Sequence, residues 1–185
     1  MGDVYDELVA AQSPAELRQA VQLYVQVRPQ RVLEIGTLHG GTLRCWLEHA
    51  QPGAVVVAVD PNHLGAERYD TWVPPGVQLV VVYGRSQDDH IREQVRVHAP
   101  FDWCFIDGDH AAEAVLADAG MCLSMTGTGG HILFHDTVPP PGWGPTPPGE
   151  VWSALAQEYR SWEYAEPRPP GYPPESANGI GVVEV

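Results

Sequence analysis

Apolar residues fall into short unbroken runs, and these alternate with stretches in which apolar positions recur every three or four residues. Residues 31–35, 54–59, 77–83, 103–106 and 131–135 read as strands. Runs without polar alternation suit strands buried on both faces. Residues 42–50, 87–97 and 111–125 read as helices between them. Pro52-Gly53 breaks one helix and Gly129-Gly130 precedes the fifth strand, the usual punctuation of an alternating fold. Ser13-Pro14-Ala15-Glu16 reads as a helix start, with Ser13 as the cap, Pro14 in the first turn and Glu16 closing a capping box. Leu17, Val21, Tyr24 and Val25 continue it at helical spacing up to Pro29. Strands alternating with helices predict an α/β fold, its sheet mostly parallel and covered on both faces.

The pattern changes after Val138. A proline-rich stretch, 139–148, reads equally as a surface connection or as a lid over a site. A helix over 151–159 follows, then a second proline-rich stretch at 167–174. The final apolar segment, 180–185, is expected to close the sheet as an antiparallel strand. A single domain over 1–185 accounts for all of this. It comprises N-terminal helices in 1–30, a strand-rich core in 31–137 and a proline-rich lid, helix and terminal strands in 138–185.

Composition narrows the class. Of the 185 residues, 44% are hydrophobic, enough for a packed core, and no run is long enough for a membrane span. The formal net charge of −14 disfavours a nucleic acid partner, whose phosphates such a surface repels. Cys45, Cys104 and Cys122 form no CxxC pair. Buried reduced thiols in the cytoplasm are the expectation. Met1 to Asp6 is acidic and does not read as a secretory leader.

The chemistry gathers at the carboxyl ends of the strands, where open parallel sheets bind their ligands. Those ends carry Glu34, Asp60, Asp107 and His135-Asp136. Glu34-Ile35-Gly36-Thr37-Leu38-His39-Gly40-Gly41 is a strand followed by a glycine turn, with Gly36 for the sharp bend and Gly40 and Gly41 for close approach of a ligand. The spacing GxxxGG is not the GxGxxG of dinucleotide binding, and a carboxylate at Glu34 suits an ammonium group better than a pyrophosphate. Asp60 stands where an acid commonly holds a ribose diol. Asp107 and Asp136, at neighbouring strand ends, offer hard oxygens to a divalent cation. His110 is a residue type that titrates near neutrality.

Two further blocks give these residues a context. Phe101-Asp102-Trp103-Cys104-Phe105-Ile106-Asp107-Gly108-Asp109-His110 and Gly129-Gly130-His131-Ile132-Leu133-Phe134-His135-Asp136-Thr137 stand in order behind the glycine turn. Together they resemble the class I S-adenosylmethionine-dependent methyltransferases, in particular a bacterial group that includes sugar O-methyltransferases and is related to catechol O-methyltransferase. The resemblance covers residues 31–137. It implies a Rossmann-like, doubly wound, mostly parallel seven-stranded sheet in a three-layer αβα arrangement. It also implies S-adenosyl-L-methionine as cofactor, with Glu34, Gly36, Thr37, Gly40, Gly41, Asp60 and Asp107 around it and Ser86 and Gln87 at the adenine. Mg²⁺ or another divalent cation is implied at Asp107, Asp136 and Thr137, the last standing where an asparagine is common. His110 occupies the place of the catalytic base. The implied partner is a small hydroxylated acceptor such as a sugar or natural product, and relatives of this kind include homodimers.

Other readings compete. One is a domain that holds the cofactor without transferring a methyl group. His110, His135 and Asp136 are also a plausible iron set for a metal-dependent oxygenase. A nicotinamide oxidoreductase would share Asp60 but not the glycine spacing.

Overall fold

The computed structural model describes residues 13–167 and 176–185. Its strands are β1 (Arg31–Ile35), β2 (Val55–Asp60), β3 (Gln78–Tyr83), β4 (Phe101–Ile106), β5 (Thr126–Val138), β6 (Arg160–Tyr164) and β7 (Asn178–Glu184). They form one seven-stranded sheet of order β3-β2-β1-β4-β5-β7-β6. β1 to β5 pair in parallel, and β7 runs antiparallel to both β5 and β6. The expected mostly parallel sheet with an antiparallel C-terminal strand is the one observed.

Helices α1 (Pro14–Val27), α2 (Gly41–Glu48), α3 (Asp89–Arg96), α4 (Ala112–Met125) and α5 (Pro147–Leu155) cover the sheet. Alternate side chains of each strand point to opposite faces, so the sheet divides the core in two. Val32, Val56, Trp103 and Phe105 meet Leu17, Tyr24, Leu43 and Trp46 on one side. The rings of Tyr24, Trp46 and Trp103 lie 5.2 to 5.4 Å apart there. Leu33, Val57, Cys104 and Ile132 meet Ile91, Val95, Val115 and Cys122 on the other. All three cysteines are free and buried. No helix among the described residues is long and apolar enough to cross a membrane.

Several local expectations give way to tertiary contacts. Ser13 makes no side-chain cap. Glu16 does not close a capping box. It is buried and accepts hydrogen bonds from the backbone N–H of Glu166 (2.9 Å), the amide of Asn178 (2.7 Å) and the N–H of Gly179 (3.0 Å). It thus ties α1 to the start of β7. The helix expected over 151–159 begins four residues earlier, at Pro147. Thr146 caps it by accepting from the N–H of Gly149 (3.1 Å), and Pro147-Pro148 occupies the first turn, where a missing N–H costs nothing. β5 extends well beyond the expected 131–135 at both ends, and β6 and a 3-10 helix over Ala66–Trp72 were not foreseen. Residues 1–12 and most of the second proline-rich stretch lie outside the described residues.

Candidate active site

The chain order of the sheet reverses between β1 and β4, and such a switch point opens a crevice beyond the strand ends. A cavity of about 450 Å³ lies there, bordered by Gly36, Asp60, Ser86, Gln87, Asp107 and Asp109, among others. Gly36 makes the opening possible. Its φ is +89°, and a Cβ at that position would lie 1.9 Å from the carbonyl oxygen of Asp107. The turn after β1 therefore passes directly over the end of β4, and only glycine fits.

Asp60 sets the opposite wall. Its carboxylate accepts from the N–H of Leu38 (2.9 Å), Asn62 (2.7 Å) and His63 (3.3 Å). It pins the glycine turn to the loop after β2 while still bordering the cavity. The other residues expected at the cofactor are set back from it. Gly40 packs against the rings of Tyr69 and Trp72, where a Cβ would come within 2.6 Å, so its glycine serves the 3-10 helix. Thr37 is buried, and Gly41 starts α2. Glu34 is completely buried and does not border the cavity. Alternation along β1 turns it to the face that carries α2. Burial, followed by the charges of Asp107 and Asp60, pushes its carboxyl well above the usual carboxylate range, with Trp46 and Thr37 partly opposing. Glu34, expected at an ammonium group from its position, thus stands behind the cavity lining.

Ser86 and Gln87 border the cavity and share a partner that the motifs did not reveal. The Ser86 hydroxyl donates to Oδ1 of Asp118 (2.6 Å), and Nε2 of Gln87 donates to the same oxygen (2.9 Å). Asp118 lies on α4 in the buried stripe of Ala114, Val115 and Cys122. A carboxylate at i+3 and i+4 within an apolar stripe was the available signal.

On the far side of Asp107 a second cluster assembles. Nδ1 of His135 is 2.9 Å from Oδ1 of Asp107, and Nε2 of His110 is 3.5 Å from the same atom. Asp136 approaches Nδ1 of His110 at 3.6 Å and Nε2 of His135 at 3.3 Å. Adjacent residues of a regular strand point apart, yet His135 and Asp136 serve one cluster. The cause is a bulge: pairing with β7 shifts between His135 and Val138, and Asp136 takes a left-handed φ of +60°. That conformation is costly for a residue other than glycine and collects at functional sites. The Thr146 hydroxyl donates to the carbonyl of Asp136 (2.6 Å) and holds the bulge from the proline-rich side.

Charge is concentrated here. Burial opposes the imidazolium of His135, but the charge and hydrogen bond of Asp107, then Asp136 and Glu16, raise its pKa to about 9. Burial likewise opposes ionisation of Asp107, yet His135 and His110 draw it down to about 2. His110 is raised, chiefly by its hydrogen bond to Asp107 and against a desolvation that lowers it. His110 is partly exposed, whereas His135 is buried.

The donor set that could hold a cation differs from the expected one. Donor atoms of Asp107, His110 and His135 lie within 4.8 Å of one another, with Asp136 beside them. The set mixes imidazole nitrogen with carboxylate oxygen. Thr137 is buried, with its hydroxyl 2.8 Å from where a Cβ at Gly179 would lie. Near this side of the sheet Trp152 packs on Gly181 and donates to the carbonyl of Val182 (3.2 Å), while Trp143 is exposed.

Comparison with known proteins agrees with the fold. A family model described as a methyltransferase domain matches residues 33–137. Among curated proteins none matches the chain significantly. Similar folds occur in the O-methyltransferase of Bacillus cereus solved with SAH (20% identity, TM-score 0.69, 97% of this chain and 86% of that one). The O-methyltransferase TomG of Streptomyces achromogenes, involved in tomaymycin synthesis and solved with SAM, is also similar (16% identity, TM-score 0.70, 100% and 91%). The MycE methyltransferase of the mycinamycin biosynthetic pathway, in complex with Mg and SAH, is similar over 90% of this chain and 48% of that one (20% identity, TM-score 0.59).

Proposed function

Because the chain belongs to the methyltransferase domain family, whose model spans more than half of it, we propose that it is an S-adenosylmethionine-dependent O-methyltransferase acting on a hydroxyl of a small metabolite. One observation carries the reading. Asp107 borders the cavity and also anchors the cluster of His110, His135 and Asp136. A methyl donor in the cavity and an acceptor hydroxyl at the cluster would therefore meet across a single residue.

The chain's own groups divide the work. Gly36, Asp60, Ser86 and Gln87 bind and orient the donor from the cavity wall. The methyl carbon leaves sulfur as the acceptor oxygen attacks, and the oxygen must lose its proton. Neutral His110, the exposed member of the cluster, accepts it. Asp107 keeps the His110 ring turned toward the acceptor side, and His135 balances the carboxylate charge.

Asp107 and Asp136 would hold a divalent cation, with His135 giving up its proton to add a nitrogen donor and His110 left free as the base. When bound, the cation would lower the pKa of the acceptor hydroxyl. Imidazole donors suit a first-row transition ion such as Mn²⁺ better than Mg²⁺.

The acidic surface favours a small acceptor over nucleic acid. The neighbours acting in tomaymycin and mycinamycin synthesis favour a sugar or natural-product hydroxyl. The test is SAH release from S-adenosylmethionine across a panel of phenols and glycosides. Acceptor-dependent release supports the reading. A folded protein that binds SAH yet methylates nothing in the panel favours a non-catalytic cofactor-binding role.

A further inference from the structure

Asp118 is a fully buried carboxylate that the proposed reaction does not use. Its Oδ1 accepts from both the Ser86 hydroxyl (2.6 Å) and the Gln87 amide nitrogen (2.9 Å). The same amide nitrogen donates to Oγ of Ser86 (2.9 Å), which closes a triangle beneath the cavity. Oδ2 has no hydrogen-bond partner among the described residues.

The triangle has a chemical consequence. A carboxamide is a donor at one end and an acceptor at the other, and an ionised carboxylate only accepts. Asp118 therefore dictates which end of Gln87 faces inward. Nε2 is drawn to Asp118 and Ser86, which leaves Oε1 as the end available to the cavity that Gln87 borders. The hydrogen of Ser86 is likewise committed to Asp118. Burial raises the Asp118 carboxyl to about 6, partly countered by Ser86, Gln87 and Arg92 on α3 and reinforced by Asp109 of the loop before α4. It remains mostly ionised at neutral pH.

We propose that Asp118 is a specificity-determining residue. By fixing the Gln87 carboxamide with its oxygen toward the cavity, it selects a purine that carries an amino group at position 6 over one that carries a carbonyl there. A 6-amino purine offers an N–H to that oxygen. A 6-oxo purine sets oxygen against oxygen, and an unpaired buried acceptor is strongly disfavoured. The inference rests on placing the adenosyl group of the methyl donor in this cavity.

The experiment compares two ligands that differ only at that position, S-adenosylhomocysteine and its 6-oxo counterpart S-inosylhomocysteine, by calorimetry at pH 7.5. Wild-type protein is expected to prefer the adenosyl compound by tenfold or more. Asp118→Ala, which removes the acceptor that holds Nε2 and frees Gln87 to turn over, is expected to lose most of that preference. The adenosyl compound should weaken while the inosyl compound binds as well as before or better. An Asp118 that is merely structural would weaken both ligands alike, and equal weakening overturns the proposal. So does wild-type protein that binds the two ligands equally, a result independent of whether the variant folds. Failure of wild-type protein to bind either compound overturns the placement of the donor together with the inference.

Discussion

The two halves of the crevice are built on opposite principles. On the β2–β3 side the protein orients its own polar groups. Asp60 accepts from three backbone N–H groups, and Ser86 and Gln87 are tied to Asp118. On the β4–β5 side two carboxylates and two imidazoles crowd into one cluster around a strained bulge. In the proposed reaction the first half serves as a preformed mould for the donor and the second as the charged surface that takes the proton; the bulge there aims two adjacent side chains at one point. Binding and turnover should accordingly separate by mutation.

The largest effect is expected at the seam. Gly36→Ala places a methyl group against the Asp107 carbonyl at a positive φ, so it should abolish SAH binding or cost more than about 3 kcal/mol of stability. Calorimetry and denaturant unfolding distinguish these, and an alanine variant with ordinary affinity and stability would break the account of the turn.

Next come His110→Ala and Asp136→Ala. Each should lower turnover about 100-fold or more while leaving the SAH dissociation constant within about threefold of wild type, since neither borders the donor cavity. Comparable losses in affinity and rate would show that the halves are not separate.

A smaller effect concerns pH. The folded pKa of Asp118 is raised to about 6, so the native state holds a proton that the unfolded chain releases nearer 4. Stability from this group is present at low pH and lost as pH rises through about 6. Relative to wild type, Asp118→Asn should therefore gain about 1 kcal/mol between pH 5 and pH 7.5, a difference of about 2–4 °C in melting temperature. An unchanged difference would mean that the carboxyl is not desolvated as described.

The smallest is the ion. Mn²⁺ should raise the melting temperature more than Mg²⁺ does, and Asp107→Asn should remove the difference. Equal responses to both ions would favour an all-oxygen site.

The same contrast explains what the sequence disclosed. β1 to β4 and the strand-end acids were legible because they rest on local patterns: apolar runs, a glycine turn and a charge where the run stops. The bulge was not, since no residue near Asp136 announces a left-handed backbone. Without it His135 and Asp136 would face opposite ways. Glu34 was assigned to the ligand from its position, and its complete burial behind the lining was not legible because it depends on α2 packing over that face. Glu16 has the spacing of a capping box, yet β7 arrives from 162 residues away to claim it. Asp118 was overlooked because its partners come from another loop. β6 escaped notice because it is a short, half-exposed edge strand without an apolar run.

The most direct measurement is calorimetric titration of the purified protein with S-adenosylhomocysteine, with NAD as the comparison ligand. The account predicts micromolar binding of the former and none of the latter. Absence of SAH binding by a protein that still unfolds cooperatively would contradict it, because the mould formed by Gly36, Asp60, Ser86 and Gln87 would then hold something else.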